Sequence, residues 1–258
     1  MAAVFDRRRR PDPQQGVFET LLVIDGRPVE PDAHLARLRA SLAELFPDHE
    51  SPPLDVPSLM HPYAPLSEGT SAGDGRGALR IAVSPDGEGG LRSRTEMREA
   101  HLGGEISLHS VPLAGGLGAH KWTDRSLLDE TQATLPEGAL SLLIDEDGSV
   151  LEASRANVFA VRDGVLLTPP LDGRILPGVT RTRVMELARE IGIDIHETDL
   201  SQRDLLAADE VFLTGSVRGI ERVDAVDGTP LRNRGEIAGH LITELWRSWA
   251  GAKTAPLR

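Results

Sequence analysis

Of the 28 basic residues in this 258-residue chain, 26 are arginines and only two are lysines, Lys121 in AHKWTD and Lys253 near the C-terminus. Arginine and lysine serve equally as surface charge, but only an amine can lose its proton near neutral pH and attack a carbonyl. The approach to Lys121 is the glycine-rich GGLG at 115–118, which lets backbone come close to a bound ligand. Lys121 is therefore a candidate Schiff-base nucleophile, with phosphate ligand and surface charge as its other uses.

Three further stretches carry groups that complement such an amine. LEASRANVF (151–159) places Glu152 at the end of one strand and Asn157 at the start of the next. A carboxylate beside a lysine–aldehyde adduct can keep a pyridine nitrogen protonated and make the ring an electron sink. LPGVTRT (176–182) offers backbone N–H groups and two threonine hydroxyls at a helix start, a combination that binds phosphate without lysine. TGS (214–216) adds a second hydroxyl-bearing turn, and Arg37 could add a charge-assisted contact. Each stretch alone has a structural use, since helix caps and turns draw on the same residues. Together they describe one cofactor, pyridoxal 5'-phosphate.

The elements that must position these groups follow from pattern. GVFETLLVIDGRPVE (16–30) reads as strand, Asp25-Gly26 turn, strand. PDAHLARLRASLAELF (31–46) spaces Leu35, Leu38, Leu42 and Leu45 as one face of a helix capped by Asp32. Residues 47–77 are rich in Pro, Gly and Ser and suit a short helix or a mobile loop. ALRIAVS and GEISLHSVPL read as strands that complete a small α+β half over 16–114. Over 119–258 the pattern predicts a short helix from about Asp124 and a meander of ALSLLID, NVFAV and VLLTPP divided by EDG and RDG turns. A helix over 177–192, a strand EVFLTGS and a last helix GEIAGHLITELWRSWA follow. Residues 1–15, with the basic run Arg7 to Arg10, read as a disordered, solvated tail.

Composition removes several function classes. A net charge of −12 and 3% aromatic residues argue against a nucleic-acid partner. With no cysteine there are no disulfides, thiolate metal sites or cysteine nucleophiles, and the eight histidines show no metal-ligand spacing, so no metal is expected. No apolar run reaches membrane-span length, and a soluble cytoplasmic protein with a small-molecule substrate is the expectation. The P-loop, H-E-x-x-H and G-x-S-x-G patterns are absent.

In this order GVFETLLVIDG, HLARLRAS, Lys121, LEASRANVFAV, LPGVTRTRV and EVFLTGSVRGI resemble the class IV aminotransferases, the fold-type IV pyridoxal phosphate enzymes. The resemblance implies a small N-terminal α/β domain, a larger C-terminal domain on a β-barrel-like sheet, and a homodimer. It implies that Lys121 forms the Schiff base with the cofactor and Glu152 bonds its ring nitrogen. Arg37, Val179, Thr180 and Ser216 would hold the phosphate, and Asn157 would order the site. Branched-chain members carry a tyrosine five residues after the lysine, where this chain has Ser126. AHKWTDRSLLDE instead looks like the pattern of 4-amino-4-deoxychorismate lyases, with Asp124 and Arg125 after the lysine. The implied activity is that lyase reaction, giving 4-aminobenzoate and pyruvate for folate biosynthesis, with a branched-chain or D-amino-acid aminotransferase as the alternative.

Overall fold

The computed structural model describes residues 10–63, 76–100, 103–232 and 235–251. Its smaller sheet begins at the Asp25-Gly26 turn. Both residues take positive φ, 48° and 74°, as a tight type I′ hairpin requires. They join β1 (Val17–Ile24) to β2 (Arg27–Pro28). β3 (Arg76–Pro85) pairs antiparallel with β1 and with β4 (Leu91–Glu99), giving the order β2-β1-β3-β4. Alternation along the strands puts Val17, Leu21 and Val23 on one face with Leu79, Ile81 and Val83. Against that face packs α1 (Pro31–Leu45) through Leu35, Leu38 and Leu42. Burying each of these leucines contributes about 1.5–3 kcal/mol.

The expected Asp32 cap is corrected to Glu30, which sits in the left-handed region with Pro31 as the first helical residue. Proline fixes a helical φ and has no N–H to leave unsatisfied, so the helix starts before Asp32, which lies in its first turn. The 47–77 stretch holds a short helix, α2 (Val56–Met60), started by Asp55; its residues 64–75 lie outside the described ones.

Among the described residues the larger sheet has ten strands. β5 (Ser107–Pro112), β6 (Leu140–Ile144), β7 (Val150–Ala153), β8 (Ala156–Arg162) and β9 (Val165–Thr168) lie side by side. From β6 to β9 neighbours are antiparallel, as the meander requires. α3 (Ser126–Gln132) precedes β6 and α4 (Val179–Glu190) follows β9, after which β10 (Ile195–Glu197) closes that edge. β11 (Glu210–Gly215) pairs with β8 and with β12 (Gly219–Arg222), and α5 (Glu236–Ala250) packs with α4 over stacked Phe159 and Phe212.

Two expectations are corrected here. GEISLHSVPL does not belong to the small half: β5 runs parallel to β6, and Ile106 and Leu108 join the core of Leu142 and Val150. The small sheet thus ends at β4, before residue 114. Residues 1–15 are not wholly a disordered tail, because Arg10 Nη2 donates to Ala114 O at 2.7 Å and Asp12 N to Asp124 Oδ2 at 2.9 Å. Those fixed acceptors hold a 3₁₀ turn at Pro13–Gln15, while residues 1–9 lie outside the described ones.

The two sheets meet where the chemistry was expected. Phe18 N donates to Lys121 O at 2.8 Å and Thr123 N to Gly16 O at 3.0 Å, so the Lys121 segment lies along the start of β1. Among the described residues no helix is long and apolar enough to cross a membrane, and no three His, Asp or Glu side chains are grouped to hold a metal ion.

Candidate active site

Lys121 is fixed by its own backbone, through the bond from Phe18, and its Nζ lies 5.0 Å from the centre of the Phe18 ring. Burial depresses the ammonium from an ordinary 10.5 to about 8, Arg37 and Arg125 push the same way, and Glu19 and Glu152 oppose. A group with that pKa is about one-tenth neutral at pH 7, which is the form able to act as nucleophile or base.

Glu152 occupies the end of β7 and pairs in register with Asn157 at the start of β8. The hairpin turn between them brings both side chains to the same wall of the cleft. Glu152 Oε2 accepts from Leu176 N at 3.2 Å and, at 3.5 Å, from Asn157 Nδ2. Burial raises its carboxyl to about 8, outweighing the Leu176 N–H and the nearby Lys121, Arg37 and Arg125 charges. The carboxyl therefore keeps its proton at neutral pH in this arrangement and can deliver it to a basic ring nitrogen. Asn157 Nδ2 also donates to Leu176 O at 2.9 Å, which ties down the loop entering α4. Gly178 is required there, since a Cβ would sit 1.9 Å from Asn157 Oδ1.

The start of α4 carries no side-chain cap, and the first intrahelical donation runs from Thr182 N to Gly178 O. The N–H groups ahead of it have no helical partner and favour an anion. Beside them Thr180 Oγ1 donates to Ser216 Oγ at 3.3 Å, just past the end of β11. Thr214 lines the same cleft, and its buried Oγ1 has no hydrogen-bond partner among the described residues. A buried orphan hydroxyl beside an uncapped helix start fits a phosphate with several acceptor oxygens.

Arg37 reaches the cleft from α1. Its Nε and Nη2 donate to Glu19 Oε1 and Oε2, both at 2.7 Å, and its Nη1 donates to Pro177 O at 2.7 Å. Glu19 points with the core residues of β1 and is 1% exposed. Burial alone would raise its carboxyl, but Arg37 and His34 outweigh that and hold it down at about 2. With Glu19 ionised, His34 Nδ1 donates to Glu19 Oε2 at 2.8 Å, and burial lowers the imidazole, so this histidine is neutral near pH 7.

One cleft is thus lined by Arg37, Lys121, Glu152, Asn157, Val179, Thr180 and Ser216, the whole predicted set. Sequence reasoning missed Glu19 and His34, and took in Thr214 only as part of the TGS turn. For the first two there was a signal: a charged residue in the core phase of β1, opposite a helix with His and Arg three residues apart.

Comparison with known proteins identifies a family and a fold. The family model described as amino-transferase class IV matches residues 16–226. A branched-chain-amino-acid aminotransferase from Escherichia coli (strain K12) is 38% identical over 120 residues, which are 46% of this chain and 38% of that protein. The match therefore spans well under half of that relative's length. A structure of a provisionally named 4-amino-4-deoxychorismate lyase from Legionella pneumophila superposes with a TM-score of 0.79 at 22% identity, over 91% of each chain. A hypothetical aminotransferase from Mycobacterium tuberculosis in its PLP-bound form superposes at 0.76 with 24% identity, over 93% of this chain and 90% of that one. At those identities the likeness is one of fold.

Proposed function

The chain belongs to the class IV aminotransferase family, and on that premise we propose that it is a 4-amino-4-deoxychorismate lyase, releasing 4-aminobenzoate and pyruvate for folate biosynthesis. The observation that carries the reading is one cleft holding an amine depressed to about 8, a buried carboxyl and an uncapped helix start. Pyridoxal 5'-phosphate is the family's cofactor, and when joined to a substrate amine it draws electrons from the bonds of the amine-bearing carbon.

In this reading each residue has one task. Val179 and Thr180 at the start of α4, with Ser216 and Arg37, hold the phosphate. Glu152 would face the ring nitrogen and, with its carboxyl raised to about 8, could supply it with a proton. Asn157 orders the wall by fixing the Leu176 carbonyl. Lys121 would hold the cofactor through Nζ, and as a free amine with its pKa depressed to about 8 it could take the proton from the amine-bearing carbon. Enolpyruvate would leave as the carbocycle aromatises, and the proton taken by Lys121 would return to it to give pyruvate, so no second substrate is needed. The protein would work as a cytoplasmic homodimer.

Lyase chemistry is supported by the segment after Lys121. Ser126 stands where branched-chain aminotransferases carry a tyrosine, and its Oγ donates to Asp124 Oδ1 at 2.6 Å. The second reading, a branched-chain or D-amino-acid aminotransferase, is favoured by the Escherichia coli relative. Incubating the purified protein with aminodeoxychorismate, and separately with amino acids and 2-oxoglutarate, separates the two. The expected result is 4-aminobenzoate in the first mixture; glutamate in the second with none in the first rejects the lyase. Borohydride reduction is expected to fix the cofactor on Lys121 and to leave no adduct in Lys121→Ala.

A further inference from the structure

Several of the buried and half-buried arginines of this protein are paired with acids. Arg37 holds Glu19, Arg155 holds Glu221, Arg174 holds Asp145 and Asp172, and Arg181 holds Glu197. Arg125 differs. It lies between Lys121 and α3, its Nη2 donates to Ser154 O at 2.9 Å, and it has no ion pair among the described residues. Its side chain lines the same cleft as Lys121 and Glu152. Burial lowers its pKa, with the charges of Asp129 and Glu152 opposing. Arg80, 3.6 Å over the Phe18 ring, is near enough for its charge and that of Arg125 to disfavour one another.

We propose that Arg125 is the receptor for a carboxylate of the substrate, so that the cleft selects amines that carry a carboxylate. A guanidinium partly removed from water without an acid partner is costly, and a carboxylate entering the cleft restores the missing bonds in bidentate form. The backbone around Arg125 is built to stay in place. On its N-terminal side Asp124 Oδ1 accepts from Ser126 N at 3.0 Å and Asp124 Oδ2 from Asp12 N at 2.9 Å. The Ser154 carbonyl fixes one edge of the guanidinium from the turn after β7, and Pro11 of the ordered N-terminal segment lines the cleft as well. A site shaped around a guanidinium rejects an uncharged analogue strongly, because the analogue leaves that group unpaired.

The inference rests on the cleft being the active site, and its test can fail separately from the lyase reading. Calorimetry on the cofactor-loaded protein, whose phosphate cradle is filled, compares benzoate with benzamide; a protein that takes up no cofactor is measured in saturating inorganic phosphate instead. Wild type is expected to prefer benzoate by at least about tenfold, Arg125→Gln to lose that preference, and Arg125→Lys to keep part of it. With aminodeoxychorismate, Arg125→Gln is expected to raise KM far more than it lowers kcat. No benzoate preference in wild type, or a full preference in Arg125→Gln, overturns the proposal. Should Arg125→Gln fail to fold, Arg125→Met keeps the aliphatic stem and decides the same point. A benzoate preference that depends on Arg125, without 4-aminobenzoate formation, supports the receptor and rejects the lyase.

Discussion

Glu19, buried behind Arg37, and Glu152, on the wall of the cleft, are 1% and 7% exposed, and their carboxyls are displaced in opposite directions, to about 2 and about 8. Burial is the largest influence on both and raises both. The difference lies in what meets them. Glu19 receives two guanidinium bonds and an imidazole N–H, all at 2.7–2.8 Å. Glu152 receives one backbone N–H at 3.2 Å and an amide at 3.5 Å. The first cluster is complete within the protein and acts as scaffold for Arg37. The second is incomplete, and an incomplete buried group is one prepared for a ligand.

The largest effects should separate the two clusters by kind. Lys121→Ala is expected to cut 4-aminobenzoate formation by about 10³-fold or more, the upper range for a proton-transfer group. The urea midpoint of the cofactor-free protein should hold or rise, because a desolvated ammonium has been removed. Glu19→Gln is expected to do the reverse in stability, lowering it by about 3–5 kcal/mol because Arg37 is left buried without its partner. A Glu19→Gln protein with a wild-type urea midpoint would break the comparison.

The pH dependence of cofactor-free stability is smaller and more diagnostic. Glu152 titrates near 8 when folded and near 4.5 otherwise, so between those values the folded state binds more protons and stability falls as pH rises. Lys121 titrates near 8 when folded and near 10.5 otherwise, so above 8 the unfolded state binds more protons and stability rises with pH. The pair therefore predicts a minimum near pH 8, with a slope of up to about 1.4 kcal/mol per pH unit on the Glu152 side. Glu19, held at about 2, contributes stability present above 4.5 and lost as pH falls below it. Thermal unfolding from pH 5 to 10 checks this: Glu152→Gln should flatten the acid-side fall and leave the rise above pH 8. A wild-type profile that rises steadily from pH 5 to 8 would show that Glu152 has found a partner.

Much of this site was legible before any coordinates, and the reason is local. Lys121, the Glu152–Asn157 hairpin and the start of α4 each announce themselves by residue type within a few positions, and strand or helix geometry then fixes where the side chains go. What stayed illegible depends on contacts distant in sequence. β5 reads as a strand of the small half because its pattern cannot say which sheet it joins, and only its pairing with β6 places it. The ordering of Arg10 to Gln15 depends on acceptors at Ala114 and Asp124. The bond from Arg37 to Pro177, which joins the two halves behind the cradle, spans 140 positions.

The smallest effect sharpens the contrast to a single hydroxyl. Thr168 and Thr214 are both buried, 0% and 2% exposed, yet Thr168 Oγ1 donates to Val158 O at 2.8 Å while Thr214 Oγ1 has no partner among the described residues. Thr168→Val removes a made bond and should cost the cofactor-free protein about 1 kcal/mol. Thr214→Val removes a group whose solvation was already lost, so the cofactor-free protein should be unchanged or slightly more stable. Loading reverses the order: if Thr214 Oγ1 donates to the phosphate, Thr214→Val should weaken cofactor affinity by about 1 kcal/mol, some fivefold, and Thr168→Val should leave it alone. Titration of the visible cofactor band, set beside urea midpoints of the cofactor-free proteins, measures both. Equal affinity in the two variants would mean that the orphan hydroxyl is a packing accident and that the phosphate cradle ends at Thr180 and Ser216.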